Sequence, residues 1–153
     1  MTNPTLLQTA ATDLATALET AAAAIGWEPA EVCVMPYEPV TDCSEGIYVW
    51  PSSIDPRHEK GCQVSSLVEL TFWLVQCSNV SDCGESVTHS PVLHSNVWGT
   101  WAGLLNAWKA GSIFTAPCQC EDVRFGRFAL VEGEGGQLVW SGTVNVPLSP
   151  VEV

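Results

Sequence analysis

Residues 63–77 alternate more strictly than any other part of this chain, and the alternation limits what it can fold into. Val64, Ser66, Val68, Leu70, Phe72 and Leu74 fall on one side at period two. Gln63, Ser65, Glu69 and Thr71 fall on the other, joined further on by Trp73 and Val75. Successive side chains of a strand leave opposite faces, so period two predicts a strand whose first side belongs to a core. The second side begins polar and turns apolar, as if that end were covered. At about 3.3 Å per residue the strand is about 40–50 Å long, and one end is expected to project.

The flanking sequence supplies the other layers. Leu7, Ala11, Leu14, Leu18, Ala21 or Ala22, and Ile25 recur at helical spacing, with Gln8, Thr12, Asp13, Thr16, Glu19 and Thr20 opposite. Asn3 or Thr5 can cap this helix, Pro4 suits its first turn, and Gly26 followed by Pro29 ends it. Residues 32–35 read as a short strand closed by Pro36 and Pro39. Residues 38–63 read as an extended loop or hairpin excursion with one brief strand at 47–50. The segment from Cys77 to Gly84 reads as a loop. A second helix is expected from Ser90 as N-cap and Pro91 at the first helical position, with Val97, Trp101, Leu104 or Leu105, and Trp108 as its apolar stripe and Gly111 as its stop. Gly99 and Gly103 weaken that helix by about 1 kcal/mol each relative to Ala, and their spacing of four allows close backbone approach to a neighbour.

Residues 123–131 and 137–146 flank the glycine-rich loop from Glu132 to Gly136 and read as a hairpin, with a bulge near Gly126. In the second of these strands Leu138, Trp140, Val144 and Val146 share a face. Residues 147–153 read as an extended tail. The order α-β-β-β-α-β-β predicts one α+β domain over residues 1–153, a mainly antiparallel sheet flanked by two helices.

Charge narrows the function classes. Only 14% of the 153 residues are charged, 17 acids against 5 bases, for a net charge of −12. Five bases hardly make a patch that grips phosphates, which argues against a nucleic-acid binder. The apolar content, with seven Trp, excludes a disordered acidic tail. So few charges leave little with which to cover a free monomer, a first sign of assembly. No apolar run approaches the roughly 18 residues of a membrane span. The start Met1-Thr2-Asn3-Pro4 lacks the basic region of a secretory signal, so synthesis in the cytosol is expected.

Candidate chemistry is thin. Seven cysteines include Cys77 and Cys83, five residues between them, and Cys118 and Cys120, one residue between them. These spacings are near but not on the zinc pattern, so the four, with His58, His89 or His94, form only a weak metal set against a reading as scattered buried thiols. No nucleophile elbow is present. His94 reads as a partly buried helix residue. Trp101 and Trp108, seven apart, read as core. Trp98 lies at the edge of their face, where an exposed indole can anchor a protein interface. The loop around Gly133 carries two acids and no Lys, and it joins two strands, so it is no phosphate cradle.

This succession resembles the small tail terminator and neck (head–tail joining) proteins of long-tailed bacteriophages. The residues that carry the resemblance are the alanine-rich helix 6–25 ending in Gly26, the strand 32–37, and the proline-rich excursion with Arg57 and Lys60. The long alternating strand 64–75, the helix from Ser90-Pro91 and the terminal hairpin 123–146 complete it. The resemblance implies a tail-terminator-like fold without catalytic residues or cofactor. It implies a homo-oligomeric, hexameric ring that caps the tail tube, stops its polymerisation and joins tail to head. The partners are then the tube protein and the head-completion protein, in a virion assembled in the host cytoplasm, with DNA passing through unbound. In such a ring Arg57, Lys60, Trp98, Arg124 and Arg127 are interface candidates, because a chain this acidic needs cations where copies meet. Glu132 and Glu134 are candidates for the lumen or a tube contact. The alternatives are another phage connector or tail-tube subunit, or a Cys/His metal-binding protein. The cysteine count departs from what the architecture requires.

Overall fold

The alternating segment forms β3 (Val64–Cys77), the middle of a six-stranded sheet. The computed structural model describes residues 5–40, 45–58, 64–78, 82–115, 123–132 and 136–148. Around β3 stand α1 (Leu6–Ala24), β1 (Glu31–Val34), β2 (Gly46–His58), α2 (Cys83–Lys109), β4 (Arg124–Phe125), β5 (Ala129–Glu132) and β6 (Gln137–Leu148). The sheet order is β1-β2-β3-β6-β4, with β5 also paired to β6. β1 runs parallel to β2, and the remaining pairings are antiparallel. The protein is therefore α+β with a mixed sheet. Among the described residues no helix is long and apolar enough to cross a membrane.

Period two sorts β3 as its sequence dictates. Val68, Leu70, Phe72 and Leu74 are buried and meet Ile47 and Val49 of β2, Val144, Val146 and Leu148 of β6, and Leu14 and Leu18 of α1 in the main core. The apolar end of the other face belongs to a second cluster, in which Val75 packs with Tyr48, Trp50 and Val139, and with the half-buried Cys33, Met35 and Trp73. Trp50 and Trp73 meet edge to face at 5.0 Å. Thr5 caps α1, its hydroxyl accepting from Gln8 N at 3.1 Å. Gly26, at φ +79°, ends α1 in the left-handed conformation that glycine adopts at least cost. Ile25, expected in the stripe, is instead exposed beyond the helix end.

Four expectations are corrected. The brief strand at 47–50 continues to His58, so half of the expected loop or hairpin excursion is a 13-residue strand that pairs antiparallel with β3 as the first arm of a hairpin. Pro51, Pro56 and Asp55 signal turns, but a proline is tolerated on an edge strand, and β1 covers β2 only from Gly46 to Val49. Second, α2 starts at Cys83, not after Ser90. Asp82 is its N-cap, accepting from Glu85 N at 2.9 Å, and Pro91 lies inside the helix. Proline at a first helical position and proline within a helix look alike in sequence, and the Asp82-x-x-Glu85 cap is the signal that separates them. Third, the bulge expected near Gly126 is present, with residues 126–128 standing against only Thr143 and Gly142 of β6, but it also interrupts the strand, and a register shift falls between Leu130 and Glu132. Fourth, that interruption splits one expected strand into β4 and β5, so the order is α-β-β-β-α-β-β-β.

The helices cross where Gly99 and Gly103 face α1. A Cβ on Gly103 would stand 2.7 Å from Ala21 Cβ and 3.3 Å from Ala21 Cα, backbone that cannot give way. A Cβ on Gly99 would meet Ile25 Cδ1 at 2.7 Å and Cγ2 at 2.9 Å, atoms of an exposed side chain that can change rotamer where backbone cannot. Gly103→Ala is therefore expected to lower stability by about 1–3 kcal/mol by overpacking. Gly99→Ala is expected to be neutral or to stabilise by up to about 1 kcal/mol from helix propensity. Urea titrations of the two variants check this, and equal losses would refute the crossing as described.

Candidate functional site

About five turns into α2, Trp101 packs with other aromatic side chains against the core-facing side of β6. Trp101 stacks on Phe128 with centroids 4.8 Å apart and planes within 11°, lies 6.4 Å from Phe72, and meets Phe125 edge-on at 5.8 Å. Phe128 continues the stack to Trp140 at 5.5 Å. Phe125 and Phe128 are three residues apart and would leave a regular strand on opposite sides. Both reach Trp101 because the strand is interrupted between them, where Gly126 N donates to Thr143 O at 2.8 Å.

Between α2 and this connection lies an open groove of about 550 Å³. Trp101, Phe128 and Trp140 form its floor, with Val97 beside them. His94 and Trp98 rise on the helix side, and Gly126 and Arg127 lie on the strand side. Trp98 is 71% exposed and Arg127 is exposed. On α2, Val87, Pro91, His94 and Trp98 follow at steps of four, three and four and so share a face. All four are exposed, Val87 at 77%. An apolar stripe thus leads along the helix into an aromatic groove with one cation at its lip.

Polar bonds fix this part of α2. Gln76, fully buried at the end of β3, donates from Nε2 to Leu93 O at 3.1 Å and accepts from Asn96 Nδ2 at 2.9 Å. The clamp sits one turn before Trp98 and holds its stretch of helix against the sheet.

The structure brings together two of the interface candidates, Trp98 and Arg127. Arg124 stands on β4 opposite Asn145, its Nη1 donating to Val123 O at 3.0 Å. It lies outside the groove, on the face opposite to Phe125. Arg57 lies near the far end of β2, opposite Ser65. Glu132 ends β5 opposite Val139. Lys60, Glu134, Cys118 and Cys120 fall outside the described residues. His94, expected to be partly buried, is exposed on the groove wall, and His89 is exposed on α2. Cys77 ends β3 and Cys83 opens α2. Among the described residues, no three His, Cys, Asp or Glu side chains gather closely enough to hold a metal ion. Burial pushes the Cys33 thiol up, and the carboxylate of Glu31 adds to the rise.

Phe128 and Trp140 are the site residues that sequence reasoning passed over. The sequence sets Trp140 on one face with Leu138, Val144 and Val146 and says nothing more of it, and the usable signal for Phe128 is its three-residue distance from Phe125 across Gly126. A scan of the chain against protein-family models finds no match, and a search of curated proteins finds none.

Two outcomes follow from this geometry. Trp98→Ala removes an exposed ring and is expected to change stability by no more than about 0.5 kcal/mol. Trp101→Ala breaks the stack and is expected to cost about 3 kcal/mol or more. Denaturant titration separates them, and similar losses would contradict the placement of Trp98. For Cys33, the folded chain holds the thiol proton more tightly than the unfolded chain does. Stability from this site is therefore present below the ordinary thiol range and falls as pH rises above about 8.5. Cys33→Ala is expected to flatten that alkaline decline, and an unchanged pH–stability curve would contradict it.

Proposed function

We propose that this chain is a structural virion protein of a long-tailed bacteriophage, a tail terminator. Copies form a homo-oligomeric ring, by resemblance a hexamer, at the head-proximal end of the tail tube. The ring stops tube polymerisation and joins tail to head. The observation that carries this reading is the uncovered apolar stripe and groove along α2, on a chain that is only 14% charged. A soluble monomer rarely leaves an extended apolar surface to water, and such a surface marks a protein contact. Neighbours in a closed ring cover it.

The charge balance supports the same reading. A ring multiplies the net charge of −12 around its axis, and an acidic passage repels DNA and keeps it from sticking. Glu132 and Glu134 are assigned to that passage or to the contact with the tube protein. Arg57, Lys60, Arg124 and Arg127 supply most of the cations available where acidic copies meet each other or the head-completion protein.

Sedimentation velocity and electron microscopy of the purified chain test the proposal. Closed single rings are the expected result. A monomer at every concentration would overturn it, and open-ended stacks of rings would assign the chain to the tube instead.

A further inference from the structure

We infer that the groove beside α2 receives the segment Pro36–Val40 of a second copy of this chain, so that copies join head to tail. The inference deepens the ring reading and rests on it. Two complementary surfaces lie on each copy. The first is the groove, an aromatic floor of Trp101, Phe128 and Trp140 walled by Trp98, with Arg127 at its lip. The second is the chain leaving β1. There Tyr37 is 69% exposed and Val40 fully exposed, with Glu38 exposed between them. An aromatic groove with one cation suits an occupant that brings an aromatic ring and one acid, and the exposed Tyr37 and Glu38 supply both, presented between the exposed Pro36 and a Pro39 that is buried in its own chain. Tyr37 enters the groove against Trp98, and Glu38 pairs with Arg127 in a charge-assisted hydrogen bond.

The topology decides between docking within one copy and docking between copies. The segment leaves β1 at one edge of the sheet, and the groove lies at the opposite edge, beside β6, β4 and β5. With β2, β3 and β6 between them, and neighbouring strands about 4.8 Å apart, the two are separated by about 15–20 Å of sheet. One copy cannot fill its own groove. The two surfaces nonetheless stand at one height. Val34, Val49, Phe72 and Gly142 form a single row across the sheet, Pro36 follows Val34 by two residues, and Phe72 packs at 5.7 Å on Phe128 of the groove floor. Unlike surfaces on opposite edges at the same height give a heterologous contact, the kind that repeats around a ring.

Two variants test the inference. Tyr37→Ala with Glu38→Arg spoils the inserted segment and leaves the groove. Trp98→Ala with Arg127→Glu spoils the groove and leaves the segment. The altered side chains are exposed, so each variant is expected to keep the wild-type thermal midpoint. Each is expected to be monomeric alone at concentrations where the wild type assembles, with contact affinity reduced at least about 30-fold. Mixed one to one, they retain one intact segment and one intact groove per pair, and the expected product is a heterodimer that grows no further. Wild-type rings with variants that assemble as well as the wild type, or monomeric variants whose mixture stays monomeric, would overturn the inference and leave the ring reading standing. A wild type that is monomeric at every concentration would overturn both.

Discussion

A helix of 27 residues that buries only Val97, Thr100 and Leu104 outright has little of its own to fix its distance from a sheet. Trp101 sets that distance. Its indole lies nearly parallel to Phe128 and Phe72 and edge-on to Phe125, and each such pair adds about 0.5–1.5 kcal/mol beyond the area it buries. The stack exists because β6 carries no side chain at Gly142, where a Cβ would stand 2.5 Å from the Phe72 ring and 3.1 Å from Phe128. The width of the groove is therefore a property of the core. The same rings that hold α2 down form the floor on which an incoming side chain would rest.

The two halves of α2 are held by different forces. From Val97 onward the helix packs, through Leu104 into the core and through Gly103 against Ala21 of α1. Before Val97 no residue is fully buried, and Pro91 removes one backbone donor from the helix interior. Polar devices hold this half instead: the Asp82 cap, the bond between the Ser86 and Ser90 hydroxyls at 3.0 Å, and the Gln76 clamp on Leu93 and Asn96. Hydrogen bonds fix direction while contributing only about 1 kcal/mol each. A helix anchored in this way keeps its shape with its apolar stripe uncovered, so the surface is already set in the single chain.

The local elements were legible in the sequence, and their pairing was not. Strict alternation placed Val68, Leu70, Phe72 and Leu74 on the core face of β3, and the 3.6-residue repeat placed Leu14 and Leu18 on that of α1, because both signals are periodic and local. The extent of β2 was hidden, since Pro51 and Pro56 are compatible with both a turn and an edge strand, and only the sheet order decides. The parallel pairing of β1 with β2 depends on a connection whose direction leaves no periodic trace. In the candidate site, Trp98 was visible as an edge residue at helical spacing and Arg127 as one of few cations. That they share a groove follows from the interruption at residues 126–128, which lets Phe125 and Phe128 turn the same way. Tyr37 and Val40 carried no signal at all, because exposure in a short connection is a tertiary property.

The borders of the sheet limit how copies can meet. A long, regular edge strand invites a second chain to add to the sheet. Here β1 offers four residues and β4 two. Beyond Val49 the outer side of β2 carries Pro51 and Pro56, with a register irregularity between Pro51 and Ser53. Prolines and bulges on an edge prevent a continuous ladder, and short edges leave too few donors and acceptors to sustain one. Continuation of the sheet from copy to copy is thus disfavoured at both borders. What each border presents in its place is side chains, Tyr37 and Val40 past β1 and the Trp98 groove beside β4 and β5. Side-chain contacts fix the angle between neighbours through shape, whereas a shared ladder fixes it through strand twist. Only the first leaves that angle free to take the value at which a ring closes.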